Sequence, residues 1–310
     1  MNGKSLPCAV VVTYHPDETV MENVNAIAAE CACVVIVDNG SPAAVQAAFA
    51  GLPRVEVIAL GENRGVAAAL NVGARHALKL GFSWMATFDQ DSRPMPGMMA
   101  ALRETAERNP PASVVAPRIV ESGVGAADYR WVRPHPRAGW LFQRVTCGES
   151  DLPAVTMAIT SGSLIELATW EKLGGFDEDL FIDYVDIDYC LRVRRAGRAV
   201  AVSAGAKLLH KLGARQTGVW LGHEFRPTHH AAFRHYFIGR NRVHLWRRHA
   251  RVAPHWALFD FCFAFYNAFR VVAFEPQKGS KIKAMSLGAW DGWRGRMGGC
   301  PPERARAWRG

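Results

Sequence analysis

Apolar positions in the first half of the chain fall into short runs that alternate between two periods. "CAVVVTYHP", beginning at Cys8, is a β-branched run closed by a turn, and "ETVMENVNAIAAE" has helical spacing. "CVVIVDNGSP" is a second strand that breaks at Asp38-Asn39-Gly40. "PAAVQAAFA" is helical and "VEVIAL" a third strand. "GVAAALNVGARHALKLG" is a long helix stopped by Gly81, and "SWMATFDQDS" a fourth strand. Strands that are almost continuously apolar and alternate with helices predict a mostly parallel α/β sheet covered on both faces. Beyond residue 113, "SVVAPRIV", "AVTMAITSGSLIEL" and "RAVAVSA" are further strand candidates. Residues 128–150, with Pro134, Pro136 and Gly139, read as an irregular excursion.

Ligands of such sheets bind beyond the carboxyl ends of the strands. Three polar ends fall there in succession: Thr13-Tyr14, Asp38-Asn39, and Asp89-Gln90-Asp91. Two carboxylates one residue apart repel unless a cation lies between them, and Mg²⁺ or Mn²⁺ suits carboxylate and phosphate oxygens. The plainer reading of so short a pattern is an acidic turn punctuated by Ser92 and Pro94. A second acidic cluster lies in "FIDYVDIDYCLRVRRAG". A helix starting near Asp186 would place that carboxylate at its N-terminus, where the macrodipole favours it. Asp188, two residues on, would point elsewhere, so the two have different tasks. No GxGxxG follows the first strand and no Walker A motif is present, which removes the main support for a dinucleotide or P-loop fold.

Charge changes the picture further. Residues 1–191 hold 14 Lys and Arg against 23 Asp and Glu, whereas residues 192–310 hold 23 against 5. The last third therefore faces something anionic: phosphate, nucleic acid or lipid headgroups. The seven cysteines are odd in number and lack paired zinc-ligand spacing, and no signal peptide is apparent, so reduced cytosolic thiols are expected. These features divide the chain into a nucleotide-binding and catalytic domain over 1–230 and a basic, aromatic helical region over 231–310.

The ordered segments "VVVTYHPD", "VVIVDNGS", "GENRGVAAALNVG", "FDQDSRP", "SGSLIELATWEKLGGFDEDLFIDYVDIDYCLR", "HKLG" and "RHYFIGRNRVHLWRRH" resemble the family-2 glycosyltransferases of the GT-A fold. Within that family they are most similar to the bacterial rhamnosyltransferase branch, as is the closing "SLGAWDGWRGRMGG". The resemblance implies an inverting transfer from a nucleotide-sugar donor, dTDP-L-rhamnose for this branch, to a lipid-linked saccharide of a surface polysaccharide. It also implies that Asp89 and Asp91 hold Mg²⁺ or Mn²⁺ against the donor diphosphate, with His210 as a further metal or diphosphate contact. Thr13, Tyr14 and either Asp38 or Asn39 would bind the nucleoside, and Asn63 and Arg64 would lie near the nucleotide. Asp186 inherits the role of catalytic base, with Asp183 as the second candidate. Relatives often carry Glu where this chain has Val185.

Two other readings compete. A phosphohydrolase of the HAD type would use Asp89 as nucleophile, but that fold opens its sheet with the motif, and here three strand–helix units precede it. A nucleic-acid-binding protein would use the basic C-terminal region with Trp246 and Tyr236, yet no nucleic-acid motif appears and the acidic site would go unexplained. The apolar stretch 256–274 contains Asp260, Asn267 and Arg270 and is flanked by "RNRVHLWRRHAR" and "KGSKIK". It fits either a core helix or a peripheral contact with the cytoplasmic face of the membrane, and the basic, Trp-bearing flanks favour the membrane.

Overall fold

The computed structural model describes residues 6–49, 51–120, 129–210, 218–220, 223–225 and 230–308. The chain forms two compact units: 1–133, 144–178 and 185–211 make the first, and 134–143, 179–184 and 212–310 the second. The elements of the first half are β1 (Cys8–Thr13), α1 (Val20–Glu30), β2 (Cys33–Asp38), α2 (Ala43–Phe49), β3 (Val55–Ala59), α3 (Val66–Lys79), β4 (Trp84–Asp89), β5 (Ser92–Pro94), α4 (Met98–Arg108) and β6 (Ala112–Val120). There follow β7 (Arg130–His135), β8 (Ala138–Thr146), β9 (Leu164–Glu166), α5 (Leu167–Lys172), α6 (Val185–Arg195) and β10 (Ala199–His210). The remainder comprises β11 (Gly218–Trp220), β12 (His223–Phe225), α7 (Ala232–His249), α8 (Pro254–Phe274), α9 (Lys278–Trp293) and α10 (Pro302–Trp308).

The first unit is built on an eight-stranded sheet in the order β3-β2-β1-β4-β9-β6-β10-β5. β3, β2, β1 and β4 run parallel, β6 and β10 run the same way, and β9 and β5 run against them. Val10, Val11, Val34, Val35, Ile36, Met85 and Ala86 are buried on both faces, which is why these strands read as unbroken apolar runs. Helices with one apolar stripe close over the sheet: Val24 and Ile27 from α1, and Met99 and Leu102 from α4, join one cluster with Ala9, Ile36 and Phe88.

Two segments differ from the expectation. "AVTMAITSGSLIEL" forms a strand only over Leu164–Glu166. Upstream the chain folds back, because Thr87 Oγ1 donates to Thr160 O at 2.5 Å and Gly162 N to Thr87 O at 2.6 Å. The excursion at 128–150 is instead a two-stranded ribbon of β7 and β8. Pro134 sits inside β7, which its place in an isolated ribbon tolerates, so a proline read as a breaker is an edge residue.

In the second unit, α7 and α9 cross with almost no space between their backbones. A Cβ at Gly288 would collide with Tyr236 O and one at Gly292 with Arg240 O. The spacing of four puts both glycines on one face of α9, against α7. Tyr236 and Phe237 then pack on Ala284 and Trp308, with Phe181 stacked on Phe237 at 5.0 Å. Asp291, at the end of α9, accepts Tyr236 Oη–H at 2.9 Å and an ion pair from Arg304 of α10.

Candidate active site

Strand order reverses at β1: β2 and β3 lie on one side and β4 on the other, so the carboxyl ends of β1, β2 and β4 border a switch-point crevice. Thr13 is in register with Asp38, and Val12 with Asp89. Asp38 is completely buried. Its Oδ1 accepts Ser41 N at 2.8 Å, Gly40 N at 3.2 Å and Gln46 Nε2 at 3.2 Å, and its Oδ2 accepts Ser41 Oγ at 2.6 Å and Thr13 Oγ1 at 2.9 Å. Burial alone would raise its pKa, but the donors from Ser41, Thr13 and Gln46 outweigh it and hold the carboxyl below its ordinary value. Asp38 therefore organises the turn after β2, and all five donors come from the protein itself.

Asn39 is also buried and bridges to the next loop. Its Nδ2 donates to Asn63 Oδ1 at 3.1 Å, and its Oδ1 accepts Arg64 N at 2.8 Å. Asn63 Oδ1 in turn accepts Gly65 N at 3.0 Å, at the entry to α3. The structure thus joins Asn39, Asn63 and Arg64 into one latch between two strand-end loops. The exposed Arg64 side chain stands beside a helix N-terminus, a combination suited to phosphate. Tyr14 is 41% exposed just past the end of β1, and its backbone N–H donates to Gln90 Oε1 at 2.8 Å.

Asp89 and Asp91 flank Gln90 at the end of β4, Asp89 partly buried and Asp91 exposed. Sequence reasoning passed over what braces this turn. Asp89 N donates to Ser161 Oγ at 3.1 Å, and Ser161 Oγ donates to Ser92 Oγ at 2.6 Å. Gly162 follows at φ +75°, where a Cβ would press on Leu208 and Pro117. The spacing of "SGS" from the paired aspartates gave no local signal, because the contact spans 72 residues. Gln90 ties the same turn to α1 through its carbonyl, which accepts Asn23 Nδ2 at 3.0 Å.

The donor set fits a hard divalent cation. Among the described residues no group of three or more His, Cys, Asp and Glu forms a cage. Two carboxylates at an open strand end match an ion that completes its shell with phosphate oxygens and water, as Mg²⁺ does. β10 pairs antiparallel with β5 so that His210 lies opposite Ser92, next to Asp91 in the chain. The His210 side chain and the rest of "HKLG" lie outside the described residues.

The other carboxylates sort themselves by partner. Asp188 is fully buried and paired with Arg192 Nε at 2.6 Å, and Arg192 also donates to Leu173 O and Gly175 O. Its task is to fix α6. Asp186, in the first turn of α6, stays partly exposed and accepts Ile187 N at 2.8 Å. Asp183 lies in the second unit, where Arg234 grips both its oxygens at 2.9 to 3.2 Å.

The loop 179–184 leads directly into α6 and carries three non-glycine residues in the left-handed region: Phe181, Asp183 and Tyr184, at φ +61° to +66°. Such conformations cost about 1–3 kcal/mol each and persist only when over-determined by their surroundings. Here α7 supplies the restraint. Asn241 Nδ2 lies 2.8 to 2.9 Å from the carbonyls of Leu180, Ile182 and Asp183, and Arg240 Nη2 donates to Asp179 O and Leu180 O. Both side chains are completely buried. Substituting Asn241→Ala removes the donor to Ile182 O and Asp183 O, at about 1–3 kcal/mol each, while Arg240 still bonds Leu180 O. We expect a lower melting temperature and a turnover reduced by about tenfold or more, with donor affinity unchanged in calorimetry. Loss of donor affinity in parallel would show general damage instead.

The family model for glycosyl transferase family 2 matches residues 8–167. The chain belongs to glycosyl transferase family 2. It is a glycosyltransferase, and rhamnosyltransferases are among its relatives. A dTDP-rhamnosyl transferase, RfbF of Shigella flexneri, is 28% identical over 296 residues, spanning 94% of this chain and 96% of that one. An N-acetylglucosaminyl-diphospho-decaprenol L-rhamnosyltransferase of Mycobacterium tuberculosis is 26% identical over 65% of this chain and 74% of its own. Among solved structures, S. aureus TarS 1–349 aligns with a TM-score of 0.57 at 15% identity, over 93% of this glycosyltransferase and 89% of TarS. GalNAc-T7 with UDP, GalNAc and Mn²⁺ aligns with a TM-score of 0.54 at 15% identity, over 68% of this chain and 44% of that one. The fold is thus GT-A, a mixed α/β sheet flanked by helices. Family membership also removes the phosphohydrolase and nucleic-acid readings.

Proposed function

We propose that this enzyme transfers L-rhamnose from dTDP-L-rhamnose to a hydroxyl of a lipid-linked saccharide, at the cytoplasmic face of the membrane, in surface-polysaccharide synthesis. The observation that carries the reading is the Asp89-Gln90-Asp91 turn, braced by Ser161 at a switch-point crevice, in a chain that matches a dTDP-rhamnosyl transferase over nearly its whole length. Asp89 and Asp91, with His210, would hold Mg²⁺ or Mn²⁺. The bound ion would offset diphosphate charge and favour departure of the nucleoside diphosphate.

The chain's own groups do the rest. Tyr14 and the turns built on Thr13, Asp38 and Asn39 border the nucleoside site, with Arg64 at the entry of α3 available to phosphate. Asp38 and Asn39 are the two candidates for the base contact, and five internal donors already engage the Asp38 carboxylate. Asp186 takes the proton from the acceptor hydroxyl as its oxygen bonds to the anomeric carbon. The carbon–oxygen bond to diphosphate breaks on the opposite side, so one displacement inverts the centre. Asp183 is the weaker candidate, since Arg234 engages both its oxygens.

A thermal-shift and product-release screen of nucleotide sugars with Mg²⁺ or Mn²⁺ tests the donor. The expected result is stabilisation by dTDP-L-rhamnose and acceptor-dependent release of dTDP. Stabilisation by a UDP-sugar and none by dTDP-L-rhamnose would overturn the donor assignment.

A further inference from the structure

Helix α8 is inside out. It is the one helix among the described residues that is long and apolar enough to cross a membrane, with a mean hydropathy of 1.4, yet its buried side is the polar one. Asp260, Asn267 and Arg270 are buried beside Trp256 and Val271. Phe261, Phe265, Tyr266, Phe269 and Val272 are exposed, Phe265 by 65%. Their spacing of three and four makes one continuous stripe along the helix. A core helix of a water-soluble protein has the reverse arrangement.

The inward polar groups are used within the second unit. Asp260 accepts Tyr184 Oη–H at 2.7 Å, Trp246 Nε1–H at 2.9 Å and Arg242 Nε–H at 3.1 Å. Arg270 Nη2 donates to Asn267 Oδ1 at 3.0 Å. A helix committed to protein along one side by a buried ion pair cannot be ringed by lipid, so a bilayer span is disfavoured.

Charge decides what covers the outer side. From Arg247 to Lys283 the only acidic residues are Asp260 and Glu275, and both are buried. Arg247, Arg248 and Arg251 before α8, and Lys278 and Lys283 after it, are exposed. A second copy would bring the same positive flanks and be repelled, whereas an anionic lipid surface complements them. Trp290 and Trp293 on α9, stacked at 5.5 Å and both exposed, have the amphipathic rings favoured at headgroup depth.

We propose that the exposed aromatic face of α8, flanked in the chain by these basic residues, docks on an anionic lipid bilayer by inserting Phe261, Phe265 and Phe269 to the acyl boundary. This rests on the reading that the acceptor is lipid-linked, and names the surface that meets the membrane. Tyr184, two residues before Asp186, is held by Asp260 of the same helix, so the docking element also anchors the end of the loop that leads into α6.

The test uses the full chain and vesicles of phosphatidylglycerol with phosphatidylethanolamine, against phosphatidylcholine alone. The protein should co-sediment with the anionic vesicles only, and about 0.5 M salt should weaken the association. Phe261→Ser/Phe265→Ser/Phe269→Ser should lower vesicle partitioning by about 100-fold, the scale expected for three withdrawn aromatic anchors. Its melting temperature and its stabilisation by nucleotide sugar should stay unchanged, which separates failure of docking from failure of the sugar-transfer reading. Should the variant not fold, hydrogen exchange of the unaltered protein stands in, with vesicle-dependent protection expected over 257–273. Absence of vesicle binding, undiminished binding by the variant, a dimer dispersed by the same substitutions, or resistance to carbonate extraction would each overturn the proposal.

Discussion

Asp186→Asn should leave donor binding intact and lower turnover by about 10²–10⁴-fold, the usual contribution of a positioned general base. The substitution keeps the shape of the side chain and an oxygen for Ile187 N–H, which now bonds Oδ1 at 2.8 Å, so the first turn of α6 should persist. The negative charge is lost, and with it the capacity to accept a proton. The neighbouring carboxylates provide the controls. Asp188→Asn should act on stability, because it weakens a buried pair with Arg192 that also ties Leu173 and Gly175 to the helix. Asp183→Asn should loosen the grip of Arg234 on the loop. Release of the nucleoside diphosphate followed under saturating donor and acceptor checks all three, with calorimetry for donor affinity. Wild-type turnover in Asp186→Asn, with a collapse in Asp183→Asn, would move the base to Asp183.

The parallel half of the sheet was legible because β1, β2 and β4 are buried on both faces and its helices carry one apolar stripe. Each element therefore carries its own period, and the polar ends of β1, β2 and β4 stand out against the apolar runs. What escaped notice is held by long-range contacts. Ser161 reaches back to Asp89 across 72 residues, and Asn241 reaches back to Ile182 across 59. In each case one ordinary polar residue does the bracing, with no local pattern to mark it. Asp38 is a mixed case. Its place at a strand end marked it, with Asn39, as a candidate ligand contact, while its role in closing the turn, with five internal donors, had no local signal. Residues 256–274 were ambiguous for a physical reason: composition gives the apolarity of a helix but not which side faces the protein. The buried bonds of Asp260 settle the orientation within the second unit.

Asp91→Ala should abolish metal-dependent donor binding while leaving the fold intact. The side chain is exposed at a strand end, so its removal creates no cavity, and surface changes of this kind usually move stability by only about 0.5 kcal/mol. The turn itself is braced by Ser161, Ser92 and Gln90. In the proposed site the lost carboxylate is one of two hard oxygen ligands. A single remaining carboxylate at an open strand end is a poor competitor with water for Mg²⁺. Calorimetry of dTDP-L-rhamnose should therefore show the affinity of the variant with Mg²⁺ falling to that of the unaltered enzyme in EDTA. Adding metal to the variant should restore little. Ser161→Ala offers a graded comparison: it removes the brace of Asp89 but neither carboxylate, so it should weaken metal-dependent binding by about tenfold, for one lost neutral hydrogen bond. Donor affinity in Asp91→Ala equal to that of the unaltered enzyme, with the same response to Mg²⁺ and EDTA, would remove the metal from this turn and leave diphosphate binding to Arg64 and the entry of α3.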